Sequence, residues 1–572
     1  MIMHVRFVLS IAFAALVAGS TSGQTGGAGE PGGQYYIHGI FNPTIADVRK
    51  IDLRPLAFDS ILPEKPINYA MLPAMHDVPA RVDSIAPAKL NVVQSQQKLY
   101  KGYVKAGFGV YTTPLAEIYY DQARSRDNAY GIHYKHLSSN GGLDDVGPSD
   151  YSFNTIDGFY THYLRQHQVG GSLNYDRRRV TAYGYDPIAF DTLALNRPEA
   201  DDLKQVYSDI GFAVRVKSLY KDSSFIAHDI AMEVHGYNNS AQSRETNVKL
   251  TADLAKEEGG ETYRAGLVID NNAYLGKPGE GLDDLRQNGT LIGLEPGVST
   301  EGDRYVVSVG AGIWLDAMKK TTFHFFPRAY LSYSLFDDIL VPYAGAEGER
   351  VRNSFRSLTR LNPWTVDAPA LVNSSKMYDV YGGMRGSVSS SVGFDVRVST
   401  SRWKDRPLFI NESFYSFGNE FGIVYDRVDV LDVMGMLTWS PSEATSVTGR
   451  IDMYTYDTGA QAKAWNLPPY EISLIARHTL REKLMIKAEV LFMGRRPALG
   501  IVRDDVTDAS SATAVEEDLK GFLDLYLGAE YRYTKRFSIF AEVSNLSASK
   551  YERWYRYPVQ RTLIMGGATY AF

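Results

Sequence analysis

An all-β fold is predicted, a transmembrane antiparallel β-barrel of about 22 strands with a short extended periplasmic N-terminal arm. Three observations predict it. Period-two alternation of apolar and polar residues recurs from Leu99 to Phe572. The connections between the alternating runs sort into a short class and a long class that interleave. The chain finishes on "GGATYAF", an alternating strand that runs to its last residue.

The N-terminus supplies an address. "MIMHVRF" is weakly basic, "FVLSIAFAALVAG" is apolar but short for a bilayer span, and "STSGQ" adds small residues. Residues 1–23 are therefore expected to be a secretory signal peptide, cleaved after Gly23. No later run of about 18 apolar residues occurs, which excludes transmembrane helices. The 572-residue chain has no cysteine, so no disulfide staple and no thiolate site is expected. It carries 39 Tyr against 25 Phe, which suits a protein with much interfacial surface. A formal net charge of −6 argues against nucleic acid as a partner.

Residues 24–97 form the expected arm. "GQTGGAGEPGG" opens it, and Pro31, Pro43, Pro55, Pro63, Pro66, Pro73, Pro79 and Pro87 punctuate it. That spacing denies a long helix or a central strand. The arm should lie extended on, or inside, something else: residues around Asp52 to Ala88 fold into or across the barrel mouth, or the arm serves as a docking tether in the periplasm.

Residues 98–572 form the expected barrel. "FLDLYLGAEYRY" puts Leu523, Leu525, Leu527, Ala529, Tyr531 and Tyr533 on one face and Asp524, Tyr526, Gly528, Glu530 and Arg532 on the other. "FSIFAEV" sets Phe537, Ile539, Ala541 and Val543 against Ser538, Phe540 and Glu542. Short connections include "RQHQ", "YKDSS", "EEGG", "TEGD", "FDD", "SPSEA", "REK" and "TK". Long ones include "SSNGGLDDVGPSD", "YDPIAFDTLALNRPEADD", "NSFRSLTRLNPWTVDAPALVNSS", "KDRPLFINESFYSFGN" and "GIVRDDVTDASSATAV". The first connection, "TTP", is short although it belongs to the long side. Tight periplasmic turns and longer external loops are the pattern of an outer-membrane barrel. On the last strand, Phe572, Tyr570, Ala568 and Ile564 share a face expected to meet lipid.

The end of the chain, "FAEVSNLSASKYERWYRYPVQRTLIMGGATYAF", resembles the end of TonB-dependent receptors. The residues that carry the likeness are Asn545, Leu546, Tyr551, Tyr557, Pro558, Arg561, Gly566 and Phe572. It is specific over about the last 35 residues and looser back to about Lys376. The resemblance implies a 22-strand barrel in the outer membrane of a Gram-negative bacterium and solute transport. It also implies that Phe572 and Tyr570 serve as an assembly signal read by the barrel-assembly machinery. One departure stands beside it: only the Pro-rich arm precedes the first strand, where the family carries a plug domain of well over a hundred residues. A ring of ~22 strands would be roughly 45 Å across. The arm, infolded loops, large inward side chains or another protein must therefore fill it.

No catalytic constellation emerges. His133 and His136 suggest a metal pair, but three residues apart on a strand they face opposite ways. They read as ordinary strand histidines, and no metal, cofactor or catalytic residue is expected. Arg177, Arg178 and Arg179 read as a solvated strand end, or as contacts to lipopolysaccharide or an anionic solute. Trp364, Trp403, Phe409, Phe414, Trp465, Trp554 and Tyr555 lie in or beside long loops. They are candidate contacts to a ligand or partner protein, or else girdle and packing residues. Three functions compete: a solute-passing barrel sealed by its arm, its loops or a partner; a structural subunit of an outer-membrane assembly, secretion or uptake complex; and an integral enzyme, the least supported. Expected partners are outer-membrane lipid and lipopolysaccharide, the barrel-assembly machinery, and a periplasmic or outer-membrane protein.

Overall fold

The computed structural model describes residues 100–572, apart from 123–124, 144–145, 186–200, 221, 280, 413–415, 417 and 504–511. The proposed signal peptide and arm, and Phe414, lie outside the described residues.

Alternation becomes architecture directly. Twenty-two antiparallel strands, from 8 to 23 residues long, join in one sheet. The strand Gly102–Gly109 pairs with Thr113–Gln122 on one side and with the last strand, Leu563–Ala571, on the other, so the sheet closes on itself. Closure leaves no unpaired edge for water or another chain to satisfy. At the seam Phe572 donates its amide to the Gly102 carbonyl at 2.9 Å, and its own carbonyl accepts the Gly102 amide at 3.0 Å.

The faces are as the alternation implies. Leu523, Leu527, Tyr531, Phe537, Ile539, Ile564, Tyr570 and Phe572 lie exposed on the outside of the barrel. Phe323, Phe325, Ile210, Phe212 and Leu173 extend the same apolar belt around it. Inward faces are mostly polar. Lys105 meets Glu542 at 2.6 Å, and the His133 ring lies between Glu117 (3.1 Å) and Asp157 (3.2 Å). Arg215 Nε donates to Asp229 at 2.6 Å. Phe540 is an inward exception, buried with Leu115 and Met565.

Connection length sorts onto the two rims, with two further exceptions. One rim has connections of eight residues or fewer, most of them tight turns such as Gly259–Gly260, whose φ values of 66° and 90° make a two-residue hairpin turn. The other carries every long connection, but residues 110–112, 240–243 and 318–320 on that rim are also short. "KDRPLFIN" is not loop. It continues the strand Val392–Glu412, which rises with its 23-residue neighbour Glu420–Ser442 above the rest of the rim.

A candidate gate at the long-loop mouth

The barrel's largest buried cluster lies at its long-loop end, where residues 352–373 fold inward. Their only helix, α1 (Phe355–Leu361), begins at a capping box: Ser354 and Ser357 exchange side-chain-to-backbone hydrogen bonds. Phe355 and Leu358, three apart, form its fully buried face. They pack on Val180, Tyr207, Tyr237 and Tyr274 from the barrel wall and on Leu371, Phe409, Phe421, Trp554 and Tyr557.

Polar contacts fix α1 against that wall. Glu245, buried on its strand, accepts the Phe355 amide at 2.6 Å, and the Asn272 amide donates to the same carboxylate at 3.2 Å. A carboxylate at this position satisfies orphan helix donors that an apolar surface would leave unpaired. Arg356 Nε and an Arg360 amino group donate to Asp209 at 2.6 and 2.8 Å. Tyr237 and Thr359 share a hydroxyl hydrogen bond of 2.7 Å. Beyond the helix, the Trp364 indole donates to the Thr181 carbonyl at 3.0 Å. Asn239 donates to the Asp367 carboxylate at 2.5 Å, and Leu371 and Gln287 exchange two hydrogen bonds. Burial pushes the Asp367 carboxyl up to about 6, against the Asn239 and Gln205 amides that favour its ionised form.

Other loops complete the closure. Trp364 stacks on Tyr557 with ring centroids 3.8 Å apart, and the Tyr557 hydroxyl donates to the Asn419 carbonyl. Asn419 in turn donates to the Ala182 carbonyl at 2.9 Å. Ala182 follows the fifth barrel strand and Asn419 follows the fifteenth. In a ring of 22, that contact joins nearly opposite walls. A second cluster buries Trp465 with Leu408, Val428 and Leu467, with Trp403 against it. Asn466 ties it to the Phe409 carbonyl at 2.8 Å. The hairpin Arg496–Arg503/Ala512–Leu519 is held through Arg496, which donates to the Arg553 and Glu552 carbonyls.

The loop aromatics singled out in the sequence thus converge. Trp364, Phe409, Trp554 and Tyr555 meet in one cluster, and Trp403 and Trp465 in the other. Their rings are turned mainly toward one another. His133 and His136 lie on opposite faces: His133 is inside, and His136 pairs across the strand with Asn154. The arginine triplet also divides. Arg178 faces the lumen beside Asp176, whereas Arg177 and Arg179 share the outward face with Leu173. Glu245, Asp209 and Asp367 carry no local sequence signal, because each gains its role from a partner more than 100 residues away. The run Ser354-Phe355-Arg356-Ser357-Leu358, by contrast, does read as a capped amphipathic turn.

The chain shares its barrel with solved structures. Its shape matches the ferripyoverdine receptor of the outer membrane of Pseudomonas aeruginosa, solved with ferripyoverdine bound, at a TM-score of 0.60 and 11% identity, covering 83% of this chain and 72% of that one. The chain has the barrel fold of that receptor. The FrpB iron transporter from Neisseria meningitidis gives 0.63 at 9% identity, covering 83% and 82%. The siderophore receptor PirA from Acinetobacter baumannii gives 0.62 at 10%, covering 83% and 81%. No family model matches the chain, and no curated protein matches it. At these identities the receptor-type barrel is a likeness of fold, and it agrees with the resemblance of the last strands to TonB-dependent receptors.

Proposed function

We propose that this chain is a receptor-type outer-membrane transporter of a Gram-negative bacterium, exported through a cleaved signal peptide, and that its own loops close the external mouth of a solute-passing lumen. One observation carries the reading: a polar, charge-lined lumen lies beneath a mouth bridged from wall to wall by infolded loops. A wall lined with Arg215, Asp229, Glu117 and Lys105 favours water and polar solutes, and α1 lies above it, held by Glu245 and Asp209. The fold shared with an iron transporter and two siderophore receptors supports the same reading. The apolar outer belt meets lipid, with lipopolysaccharide around the outer rim, and Phe572 with Tyr570 serves as the signal to the barrel-assembly machinery.

A second reading is a non-transporting subunit of an outer-membrane complex that uses the barrel as a docking wall. It is favoured by the burial of Trp465 and Trp554, whose rings pack on other loops and leave little surface for a solute. Purification in mild detergent, followed by identification of what co-purifies, separates the two. Transport expects a lone barrel with a bound small molecule. A stoichiometric protein partner would replace it with the subunit reading.

A further inference from the structure

Directly beneath the buried apolar layer of Val180, Tyr207 and Tyr237, the next inward residues on the same strands are Arg178, Asp209 and His235. Arg356 and Arg360, four apart on α1, reach down into this layer. Three guanidinium groups therefore meet two carboxylates, Asp176 and Asp209. Asp209, 1% exposed, accepts from Arg356 (2.6 Å), Arg360 (2.8 Å) and the His235 ring (3.2 Å). Asp176 accepts from Arg178 at 2.9 Å and sits 3.4 Å from Arg360. The acids are thus enclosed while the arginines are not: the Arg356, Arg360 and Arg178 side chains remain 25%, 30% and 39% exposed.

We infer that Arg178, Arg356 and Arg360 form a binding site, at the ceiling of the lumen, for the oxyanion group of a small solute, a phosphate or a carboxylate. The cluster keeps one positive charge beyond what its carboxylates neutralise, and guanidinium forks suit planar or tetrahedral oxyanions. Burial, followed by the Arg356 and Arg178 charges, holds the Arg360 guanidinium below its ordinary value. A bound anion would relieve that crowding. At Arg215, by contrast, the pairing is even, since it takes both oxygens of Asp229. Because two of the three arginines ride on α1, an anion at this site also touches the loop that closes the mouth. The assignment names the solute class for the transport reading and rests on that reading only for this consequence.

Isothermal titration calorimetry of the full chain in detergent tests it, with inorganic phosphate in one arm and citrate in the other, each against chloride at matched ionic strength. Saturable binding in either arm is expected, and the stronger arm identifies the anion. Arg178→Gln should weaken it by about tenfold or more, as loss of a charge-assisted contact implies. Asp176→Asn, which removes a competing carboxylate, should tighten it, a gain that misfolding cannot mimic. Lys256→Gln, beside the tight turn 259–260 on the opposite rim, should leave it unchanged. Absence of saturable heat in both arms overturns the site, as does binding indifferent to both Arg178→Gln and Asp176→Asn. Binding without solute flux through proteoliposomes would keep the site and remove the transport reading; flux without binding would do the reverse.

Discussion

The Glu245 carboxylate accepts the Phe355 amide at 2.6 Å from a barrel strand 110 residues away in sequence. The bond fixes the start of α1 where its dipole is positive, in surroundings that exclude water. Glu245→Ala would leave the Phe355 and Arg356 amides without that acceptor, at a cost of about 1.5–3 kcal/mol. The loss should be local, because the closed ladder of strands does not depend on the loop. Trypsin should cut detergent-solubilised Glu245→Ala at Arg356 or Arg360 at least tenfold faster than the parent, with Glu245→Gln between the two. Equal cutting rates would show that the carboxylate does not hold the helix.

Asp367 gives the loop a pH dependence with a definite sign. Its carboxyl titrates near 6 when packed and near 3.9 when free, so the packed loop disfavours the ionised form. That penalty, about 3 kcal/mol at most, is fully present above pH 6 and fades as pH falls toward 4. Hydrogen exchange of residues 355–371, corrected for intrinsic rates, should therefore slow as pH drops from 7.5 to 5. Asp367→Asn, which keeps an oxygen for the Asn239 amide, should slow exchange at pH 7.5 and flatten the dependence. Faster exchange at pH 5 would reverse the sign and refute it.

At the seam, the Phe572 ring lies over Gly102, where a Cβ would come within 2.2 Å of it. Burial of one ring against lipid is worth only about 2–3 kcal/mol, which a large barrel tolerates. Deletion of Phe572 also removes its backbone bonds to Lys101 and Gly102. The truncated chain should reach the outer membrane at well under half the normal level, with reduced heat-modifiable mobility on gels. Gly102→Leu should reproduce part of the defect by displacing the ring. Normal levels and mobility for both would end the assembly role of this terminus.

Orientation is testable because the chain has no cysteine of its own. Lys320→Cys lies in the turn 318–320 on the long-loop rim, and Ser223→Cys in the turn between Lys204–Ser218 and Ala227–Asn239 on the other. A membrane-impermeant maleimide should label the first on intact cells and the second only after permeabilisation. Labelling of both alike would sink the topology.

Much of the fold is legible in the sequence because a membrane barrel repeats one local rule. Each strand must alternate, so Leu523, Leu527 and Tyr531 betray their face without knowledge of any partner. Turn length is equally local, and it misleads at 110–112, 240–243 and 318–320, which are short on the long-loop rim, and at 219–226 and 334–340, which are eight and seven residues long on the other. The loop cluster is half legible. Its aromatic residues stood out by type, and Ser354 to Leu358 carried a readable cap. Which rings would meet was not readable, since Trp364 finds Tyr557 and Asn419 finds Ala182 only after the ring closes. The end of the strand Val392–Glu412 is not legible, because Pro407 and the charges at 404–406 mimic a loop. A register shift between Trp403 and Arg406 absorbs them into the ladder.

Single-channel recording in planar bilayers tests closure by the loops most directly. The full chain should insert without large conductance, and a variant with residues 356–370 replaced by a short Gly-Ser linker should open a wide, stable pore. An open parent channel, or a shortened variant as silent as the parent, would contradict a mouth sealed by α1 and its loop.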